Sequence, residues 1–375
     1  MGDKKLKQKK ELKSNDFLIA ISAVFLGLVA GSILILLIGE NPFAAFKYLY
    51  KGALMNVRRS GTMLAISTTL MLVGLSIAFA FKTGLFNIGA SGQILAGGTA
   101  ATAFAFSSNL PHVPTMLLMI LIGFIAGAIW GLIPGLLKAY FNVHEVVATI
   151  MMNWIAYWSV YYYVPAFLKG PSLETESAML PYEKTLRINW LTDLFDGSNY
   201  INLGLFVAII AVIVIKFIMD KTTLGYELKA CGYNRFGAEY AGIKVNRSVV
   251  LSMMIAGGLA GLAGVSYYCG YSGKIQIGIL PNQGFDGIAV ALLGASNPIG
   301  VVFSSIFFGI LQAGKGFMSG NTLVPPELAD TIIAVIIYFT ATSVMFKKFW
   351  DKRFKSINEK RNIKKADSNA VMEDK

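Results

Sequence analysis

Long apolar runs alternate with short polar segments along most of the chain. A membrane-spanning helix needs about 20 predominantly apolar residues. Seven runs reach or approach that length, at positions 17–38, 61–81, 93–110, 113–137, 146–168, 201–219 and 248–269. The stretch 284–346 holds three further apolar segments, which are interrupted near Pro298 and near Pro325 and Pro326. The pattern predicts an all-α, polytopic membrane protein with about ten transmembrane helices.

The composition agrees with a membrane protein and excludes several soluble classes. Of the 375 residues, 55% are hydrophobic and 14% are charged, whereas about 25% are charged in a typical soluble domain. The apolar runs leave only short polar segments between them. We therefore expect the chain to contain no separate nucleotide-hydrolysing, receptor or enzyme domain.

The basic residues predict the orientation of the chain in the membrane. The formal net charge is +12, and most Lys and Arg residues lie in the segments 1–16, 220–247 and 347–375. Basic loops and tails stay on the cytoplasmic side. We therefore expect cytoplasmic tails at 1–16 and 347–375, and a transmembrane domain at 17–346 that includes a cytoplasmic loop at 220–247. The acidic loop 169–199 would lie outside. The tails are expected to contact anionic membrane lipids rather than nucleic acid.

One predicted outer segment, 39–60, conflicts with this charge rule. It carries four basic residues, Lys47, Lys51, Arg58 and Arg59, although external segments are usually poor in Lys and Arg. Apolar residues are interspersed with the basic ones. This pattern predicts an amphipathic helix that lies at the membrane interface.

Two segments interrupt the apolar pattern with glycines and uncharged amides. The first covers residues 82–93, and the second covers residues 281–287 and continues to a turn at 294–300. Backbone that leaves the helix inside lipid must line a cavity or pack against protein, because its polar groups otherwise lack partners. Interrupted helices at corresponding places in two halves mark the transport site of many carriers. We therefore predict discontinuous helices in two pseudo-symmetric halves that flank a translocation pathway.

The sequence lacks common signatures of catalysis and metal binding. Neither a G-x-x-x-x-G-K-[ST] phosphate loop nor an H-E-x-x-H motif occurs. The two cysteines, Cys231 and Cys269, do not have metal-ligand spacing. We expect no enzyme activity and no cofactor in this chain. Few ionisable residues lie inside the predicted spans, and Asp286 is the one acid expected to be buried there. We interpret it as a helix-start residue near the outer surface rather than as a proton relay. Ion-driven transport is therefore disfavoured, and a partner is expected to supply the energy.

The segment 222–243 is a candidate docking element for such a partner. Its pattern predicts a short helix, a turn at 232–234, and a second short helix that ends at Gly242. The first helix has an apolar side, which includes Leu224 and Leu228, and a charged side. Amphipathic helices of this kind bind grooves on other proteins.

Four ordered motifs make the chain similar to a known family. They are GLFNIGASGQ at 84–93, EVVATIMMNWIA at 145–156, TLGYELKACGYNRFGAEYAGI at 223–243 and GFDGIAVALLGASNPIG at 284–300. These runs resemble the permease subunits of bacterial ABC importers for nucleosides, which belong with the simple sugar and branched-chain amino acid permeases. The chain departs from the family pattern at Ser91, where relatives commonly carry glutamate, and at 235–237, where they often have Pro-Glu-Ala.

The resemblance implies a multi-pass permease in the bacterial cytoplasmic membrane, with both termini in the cytoplasm, that imports nucleosides by alternating access. Its implied partners are a cytoplasmic ABC ATPase, which uses the ATP, a second homologous permease and an extracellular substrate-binding lipoprotein. Uncharged amides and aromatic rings suit a nucleoside, so the expected pathway residues are Asn87, Gln93, Asn153 and Trp154, with Phe86 and Gln283 behind them. The expected ATPase-coupling residues are Leu224, Gly225, Tyr226, Glu227, Gly232, Tyr233, Asn234 and Gly242.

Other functions remain open from the sequence. A permease for a monosaccharide or a branched-chain amino acid would share the same family features. An ion-coupled secondary carrier belongs to a different class and predicts uptake that survives ATP depletion. A receptor or scaffold without transport does not account for the interrupted segments.

Overall fold

Helices coincide with the apolar runs throughout the computed structural model, which describes residues 22, 24–170 and 175–341. The two basic tails predicted at 1–16 and 347–375 lie outside the described residues. The helices are α1 Val24–Leu37, α2 Pro42–Leu54, α3 Val57–Lys82, α4 Ala90–Ser107, α5 His112–Phe141, α6 Glu145–Phe167, α7 Asn189–Leu194, α8 Gly204–Lys221, α9 Thr223–Tyr233, α10 Arg235–Tyr240, α11 Val245–Gly264, α12 Gln283–Leu293, α13 Pro298–Asn321 and α14 Pro326–Ala341. A π-helix, Val265–Ser272, continues α11, and a short 3-10 helix covers Tyr182–Lys184.

Each of the ten predicted spans contains one of these helices, and the all-α architecture is confirmed. By length and composition, four of the described helices qualify as spans, namely α3, α5, α13 and α11 with its π-helical continuation. The pair α1 and α2, bent by 115°, would make a fifth. Helix α12 has only 11 residues, about 16 Å at 1.5 Å per residue, which is about half of a bilayer core. The count of ten crossings stays a prediction.

Helix α3 is the central element of the bundle. Every residue from Ser67 to Ala80 is buried, and α3 contacts α8, α11, α12 and α13. A largely apolar helix that is buried on all sides is typical of such a central position. By contrast, α5 leaves an apolar stripe exposed at every fourth residue from Leu117 to Ile133. That stripe suits contact with lipid.

Small residues allow α5 and α11 to approach closely. A Cβ atom added at Gly127 would lie 2.3 Å from the carbonyl oxygen of Gly257, and one added at Gly261 would lie 2.2 Å from that of Gly123. Real Cβ contacts are never so short, so the two backbones touch without intervening side chains. Such packing of small residues is the usual means of joining helices in membranes.

The segment 39–60 contains the predicted helix as α2, which packs against α13. A Cβ atom added at Gly52 would lie 2.6 Å from the Cβ of Phe317, and the Arg59 guanidinium lies 4.6 Å from the centre of the Phe317 ring. Leu49 is buried, whereas Phe43 is 87% exposed. The expected apolar face is thus divided between α13 and the surface, and its placement at a membrane interface stays a prediction.

Candidate functional site

The first predicted interruption is a loop between α3 and α4. In this loop the Asn87 side chain accepts a hydrogen bond from the Gly89 N–H at 3.0 Å and donates one to Gln93 Oε1 at 3.0 Å. Asn87 and Gln93 are each 1% exposed. Asn87 and Gln93, both expected in the pathway, therefore bond to each other and to the backbone at the start of α4.

Asn153 on α6 completes this group of amides. Its Oδ1 accepts a hydrogen bond from the Gly92 N–H at 2.8 Å, and its Nδ2 donates one to the Ile88 carbonyl at 3.0 Å. The first backbone N–H groups of a helix have no partner within the helix, and Asn153 supplies one at the start of α4. Three of the expected pathway residues thus come together at the first interruption, where they join α4 to α6.

Two of the three remaining residues of this set, Trp154 and Phe86, lie on the surface. Trp154 is 47% exposed and contacts the edge of Tyr157, with ring centres 5.4 Å apart. Phe86 is 36% exposed and stacks on Phe81 at 5.1 Å. Their contribution to transport stays a prediction.

Replacing Asn153 with alanine is expected to destabilise the protein. The substitution leaves the buried Gly92 N–H and Ile88 carbonyl without their partner, at a cost of about 1–3 kcal/mol. Thermal unfolding in detergent measures the loss, and Trp154→Ala is the exposed control on the adjacent residue. If Asn153→Ala lost uptake but unfolded as the wild type does, the amide would act on the substrate and not on the fold.

The second interruption has two parts, one on each side of the short helix α12. Residues 273–282 lead from the π-helix to the start of α12, and Ala295 and Ser296 have positive φ angles of 51° in the turn before α13. The two interruptions meet directly, because Ser91 Oγ donates a hydrogen bond to the Pro281 carbonyl at 2.9 Å. A Cβ atom added at Gly284 would lie 2.1 Å from Ser91 Oγ.

A cavity of about 560 Å³ opens at the start of α12. Its walls come from α3, the π-helix, α12, α13 and α14. The lining residues are Ile66, Thr69, Leu70, Tyr267, Tyr271, Asn282, Gln283, Phe285, Asp286, Gln312, Lys315, Asp330, Ile333 and Ala334. Among the expected pathway residues, all of which are described, Gln283 is the one that lines this cavity.

The polar groups of the cavity come from different helices. Asp286 lies in the first turn of α12, where a negative charge is favourable, and Gln312 Nε2 approaches its Oδ2 at 3.4 Å. Lys315 on α13 forms an ion pair with Asp330 on α14, with Nζ and Oδ1 2.7 Å apart. The sequence pointed to Asp286 but not to Gln312 and Lys315. The sequence did contain an indication of these two residues, because polar residues three positions apart lie on one face of the largely apolar α13.

A helical hairpin, α9–α10, lies at the end of the bundle that holds the first interruption. A Cβ atom added at Gly232 would lie 2.3 Å from the Lys82 carbonyl oxygen, and one added at Gly225 would lie 2.2 Å from that of Ile218. The hairpin therefore contacts the end of α3 and the end of α8 by backbone surfaces. Movement of the hairpin would act on both helices.

The inner side of the hairpin is buried. Leu228 and Cys231 are buried, while Leu224 and Glu227 are half-buried. Burial raises the pKa of the Cys231 thiol, so this residue stays protonated and serves as an apolar contact. The predicted turn at 232–234 is shorter than expected, because α9 continues through Tyr233.

The outer side of the hairpin exposes four aromatic residues, which we call the aromatic surface: Tyr226 (72% exposed), Tyr233 (91%), Phe236 (82%) and Tyr240 (97%). The Asn234 side chain caps α10 by accepting a hydrogen bond from the Gly237 N–H at 3.0 Å. Gly242 has a φ angle of +83° and ends the hairpin. Exposed aromatic residues on a rigid support are typical of protein interfaces.

The opposite end of the spans carries the loop between α6 and α8. Arg187 in this loop donates hydrogen bonds to the Gly270 carbonyl at 3.0 Å and to the Tyr271 carbonyl at 3.3 Å. Lys274 forms an ion pair with Glu176 at 2.6 Å. The loop is thus attached to the end of the π-helix that carries Tyr267 and Tyr271 into the cavity.

Comparison with known proteins assigns this architecture to a family. Residues 61–341 match the family described as branched-chain amino acid transport system / permease component. The chain belongs to this family, and it is a multi-pass membrane permease.

Three relatives are similar over nearly their whole lengths. The chain is 38% identical to the nucleoside ABC transporter permease protein NupB of Lactococcus lactis, over 89% of this chain and 93% of the relative. It is 38% identical to the guanosine ABC transporter permease protein NupP of Bacillus subtilis, over 87% and 93%. It is 30% identical to the glucose ABC transporter permease protein TsgB13 of Haloferax volcanii, over 88% of each chain. Permease components of ABC transporters are not themselves ATPases.

Proposed function

We propose that the chain is the translocating permease subunit of an ATP-driven importer of nucleosides. The observation that carries this proposal is 38% identity, over nearly the full length, to permeases named for nucleoside and guanosine transport. The cavity at α12 supports it. Its volume of about 560 Å³ falls within the range of small-molecule sites, about 300–1,000 Å³. Its amides can pair with a base edge, and its aromatic rings can stack on a base.

The proposal includes the partners that the family resemblance implies. A cytoplasmic ABC ATPase binds the aromatic surface and uses the ATP, so this chain needs no cofactor of its own. A second permease subunit completes the pathway, and an extracellular lipoprotein delivers the nucleoside at the loop between α6 and α8. Residues 17–346 form the permease domain in the bacterial cytoplasmic membrane, with both tails in the cytoplasm.

The mechanism that we assign is alternating access. The α9–α10 hairpin transmits ATP-driven movement to the ends of α3 and α8, which it contacts at Gly232 and Gly225. Because the two interruptions meet at Ser91 and Pro281, movement of α3 and α4 reaches α12 and the cavity wall. The amides Asn87, Gln93 and Asn153 keep the first interruption rigid during this movement.

A sugar importer is the second candidate, because the chain is 30% identical to a glucose permease. Uptake in cells separates the candidates. We expect unlabelled nucleosides to compete with labelled guanosine, while glucose, ribose and leucine do not. Uptake should stop on ATP depletion and persist when an uncoupler removes the ion gradient. Uptake that followed the gradient, or that glucose alone suppressed, would refute the proposal.

Alanine at two aromatic positions is expected to weaken ATPase binding. Tyr233 and Phe236 are the middle two members of the aromatic surface in sequence order, and both are more than 80% exposed. Aromatic anchors commonly account for more than about 1 kcal/mol each at interfaces. We expect the double variant Tyr233→Ala, Phe236→Ala to recover about tenfold less ATPase on copurification. Trp190→Ala, an exposed aromatic residue at the opposite end of the spans, is the matched control. Equal recovery of the ATPase with the double variant and with Trp190→Ala would show that the ATPase does not bind the aromatic surface.

A further inference from the structure

The cavity at α12 contains a carboxylate with unused hydrogen-bonding capacity. Within the described part of the chain, Asp286 receives one hydrogen bond, the 3.4 Å contact from Gln312. The nearest cation in the cavity wall, Lys315, is already paired with Asp330 at 2.7 Å. The Asp286 carboxylate can therefore accept further hydrogen bonds from a ligand.

The edges of the nucleobases differ in how well they fit a carboxylate. An ionised carboxylate only accepts hydrogen bonds, and its two oxygens suit two parallel donors. Guanine presents such a pair, its N1–H and its N2 amino group. Adenine and cytosine place a ring-nitrogen acceptor beside their amino group, so a lone pair would face the carboxylate. A single ionised carboxylate therefore favours guanine over adenine and cytosine.

The aromatic residues of the cavity would increase the affinity for a nucleoside but would not discriminate between bases. Phe285, next to Asp286, is 44% exposed. The rings of Tyr267 and Tyr271 stack on each other with centres 5.7 Å apart and planes at 15°. Stacking on aromatic rings tolerates every base, because each base has a π-face. Discrimination between bases must therefore come from the polar groups.

A second polar group of the cavity, a buried hydroxyl, has no hydrogen-bond partner in the part of the chain that the structure describes. Thr69 lines the cavity on α3 and is 2% exposed, and its Oγ1 has no hydrogen-bond partner among the described residues. Buried hydroxyl groups are nearly always hydrogen-bonded in folded proteins. A sugar hydroxyl of a bound ligand would supply the partner.

We propose that Asp286 is a specificity-determining residue of this cavity, which selects guanine nucleosides by accepting hydrogen bonds from N1–H and N2, while Thr69 bonds a ribose hydroxyl. This inference rests on the proposed import of nucleosides and names the base and the residues that select it.

The first test uses the wild-type transporter complex and a series of nucleosides. Inosine lacks the N2 amino group, and 1-methylguanosine lacks N1–H. We expect each to compete with labelled guanosine about tenfold less well, and adenosine and cytidine to compete about tenfold to hundredfold less well, as for loss of a good bidentate pair. Equal competition by guanosine, 1-methylguanosine and adenosine would overturn the inference. A transporter that took up no nucleoside would instead refute the proposed function.

The second test compares three variants of the same complex. Asp286→Asn should reduce the preference for guanosine over adenosine by about tenfold or more. The control Glu327→Gln, an exposed acid at the start of α14 outside the cavity wall, should leave that preference unchanged. Thr69→Val should raise the KM for guanosine and leave thermal unfolding unchanged, because the hydroxyl has no hydrogen-bond partner among the residues that the structure describes. If Asp286→Asn inserted normally and kept the preference for guanosine over adenosine, Asp286 would stabilise the start of α12 and would not select the base.

Discussion

Gly232→Val is expected to abolish ATP-driven uptake while leaving the chain inserted in the membrane. The new Cβ would lie 2.3 Å from the Lys82 carbonyl oxygen and 3.1 Å from the Gly84 N–H nitrogen. Both atoms are backbone and cannot move aside as a flexible side chain can, so α9 must shift away from the end of α3. Overpacking of this kind costs about 1–3 kcal/mol. Because we propose that the hairpin transmits the driving movement, we expect uptake to fall by at least about tenfold.

A matched variant separates this effect from a general disturbance of the hairpin. A Cβ atom added at Gly237 on α10 meets its nearest neighbour at 3.4 Å, an ordinary contact. Gly237→Ala should therefore retain wild-type uptake. Gly225→Val, whose Cβ would lie 2.2 Å from the Ile218 carbonyl oxygen, should behave as Gly232→Val does. Normal uptake by both valine variants would show that the contacts of the hairpin with α3 and α8 do not transmit the driving movement.

Gly284→Val is expected to disrupt the contact between the two interruptions. Its Cβ would lie 2.1 Å from Ser91 Oγ and 2.5 Å from the Ser91 backbone nitrogen. The start of α12 must then move away from α4, which breaks the 2.9 Å hydrogen bond from Ser91 to the Pro281 carbonyl. We expect a loss of about 2–4 kcal/mol in stability, from overpacking and the lost hydrogen bond together. We also expect almost complete loss of uptake.

Two measurements check this prediction. Thermal unfolding in detergent reports the stability, and labelled-nucleoside uptake reports the activity. Gly316→Ala on α13 is the control, because a Cβ atom there meets nothing within 4 Å. Wild-type stability and uptake in Gly284→Val would show that α12 and α4 are not in tight contact in the working transporter.

Local sequence patterns predicted the helices well. The length of the apolar runs predicted each span that the structure shows as a helix, and glycines with uncharged amides predicted both interruptions. The helix, turn and helix of 222–243 were also predicted, with Gly242 as the end. The turn begins two residues later than predicted, because α9 continues through Gly232 and Tyr233. Contact with the Lys82 backbone, which requires a glycine there, is a tertiary effect that local patterns do not contain.

Contacts between distant segments could not be predicted from the sequence. Ser91 and Pro281 are 190 residues apart, and no local pattern pairs them. Uncharged amides in apolar sequence suggested a pathway at Asn87, Gln93 and Asn153. The structure shows that Asn87 and Gln93 bond to each other and that Asn153 bonds to the backbone of Ile88 and Gly92. Their direct contact with substrate stays a prediction. The cavity was missed because its wall combines five separate elements, including a π-helix that the sequence pattern does not announce.

We propose that this chain forms the pathway and that a partner subunit supplies the energy. The test compares purified chain with purified complex, each reconstituted in proteoliposomes with labelled guanosine. We expect the complex to accumulate guanosine only when ATP is present on the side of the α9–α10 hairpin, and the chain alone to accumulate none with or without ATP. Accumulation by the chain alone, or by the complex without ATP, would contradict the claim.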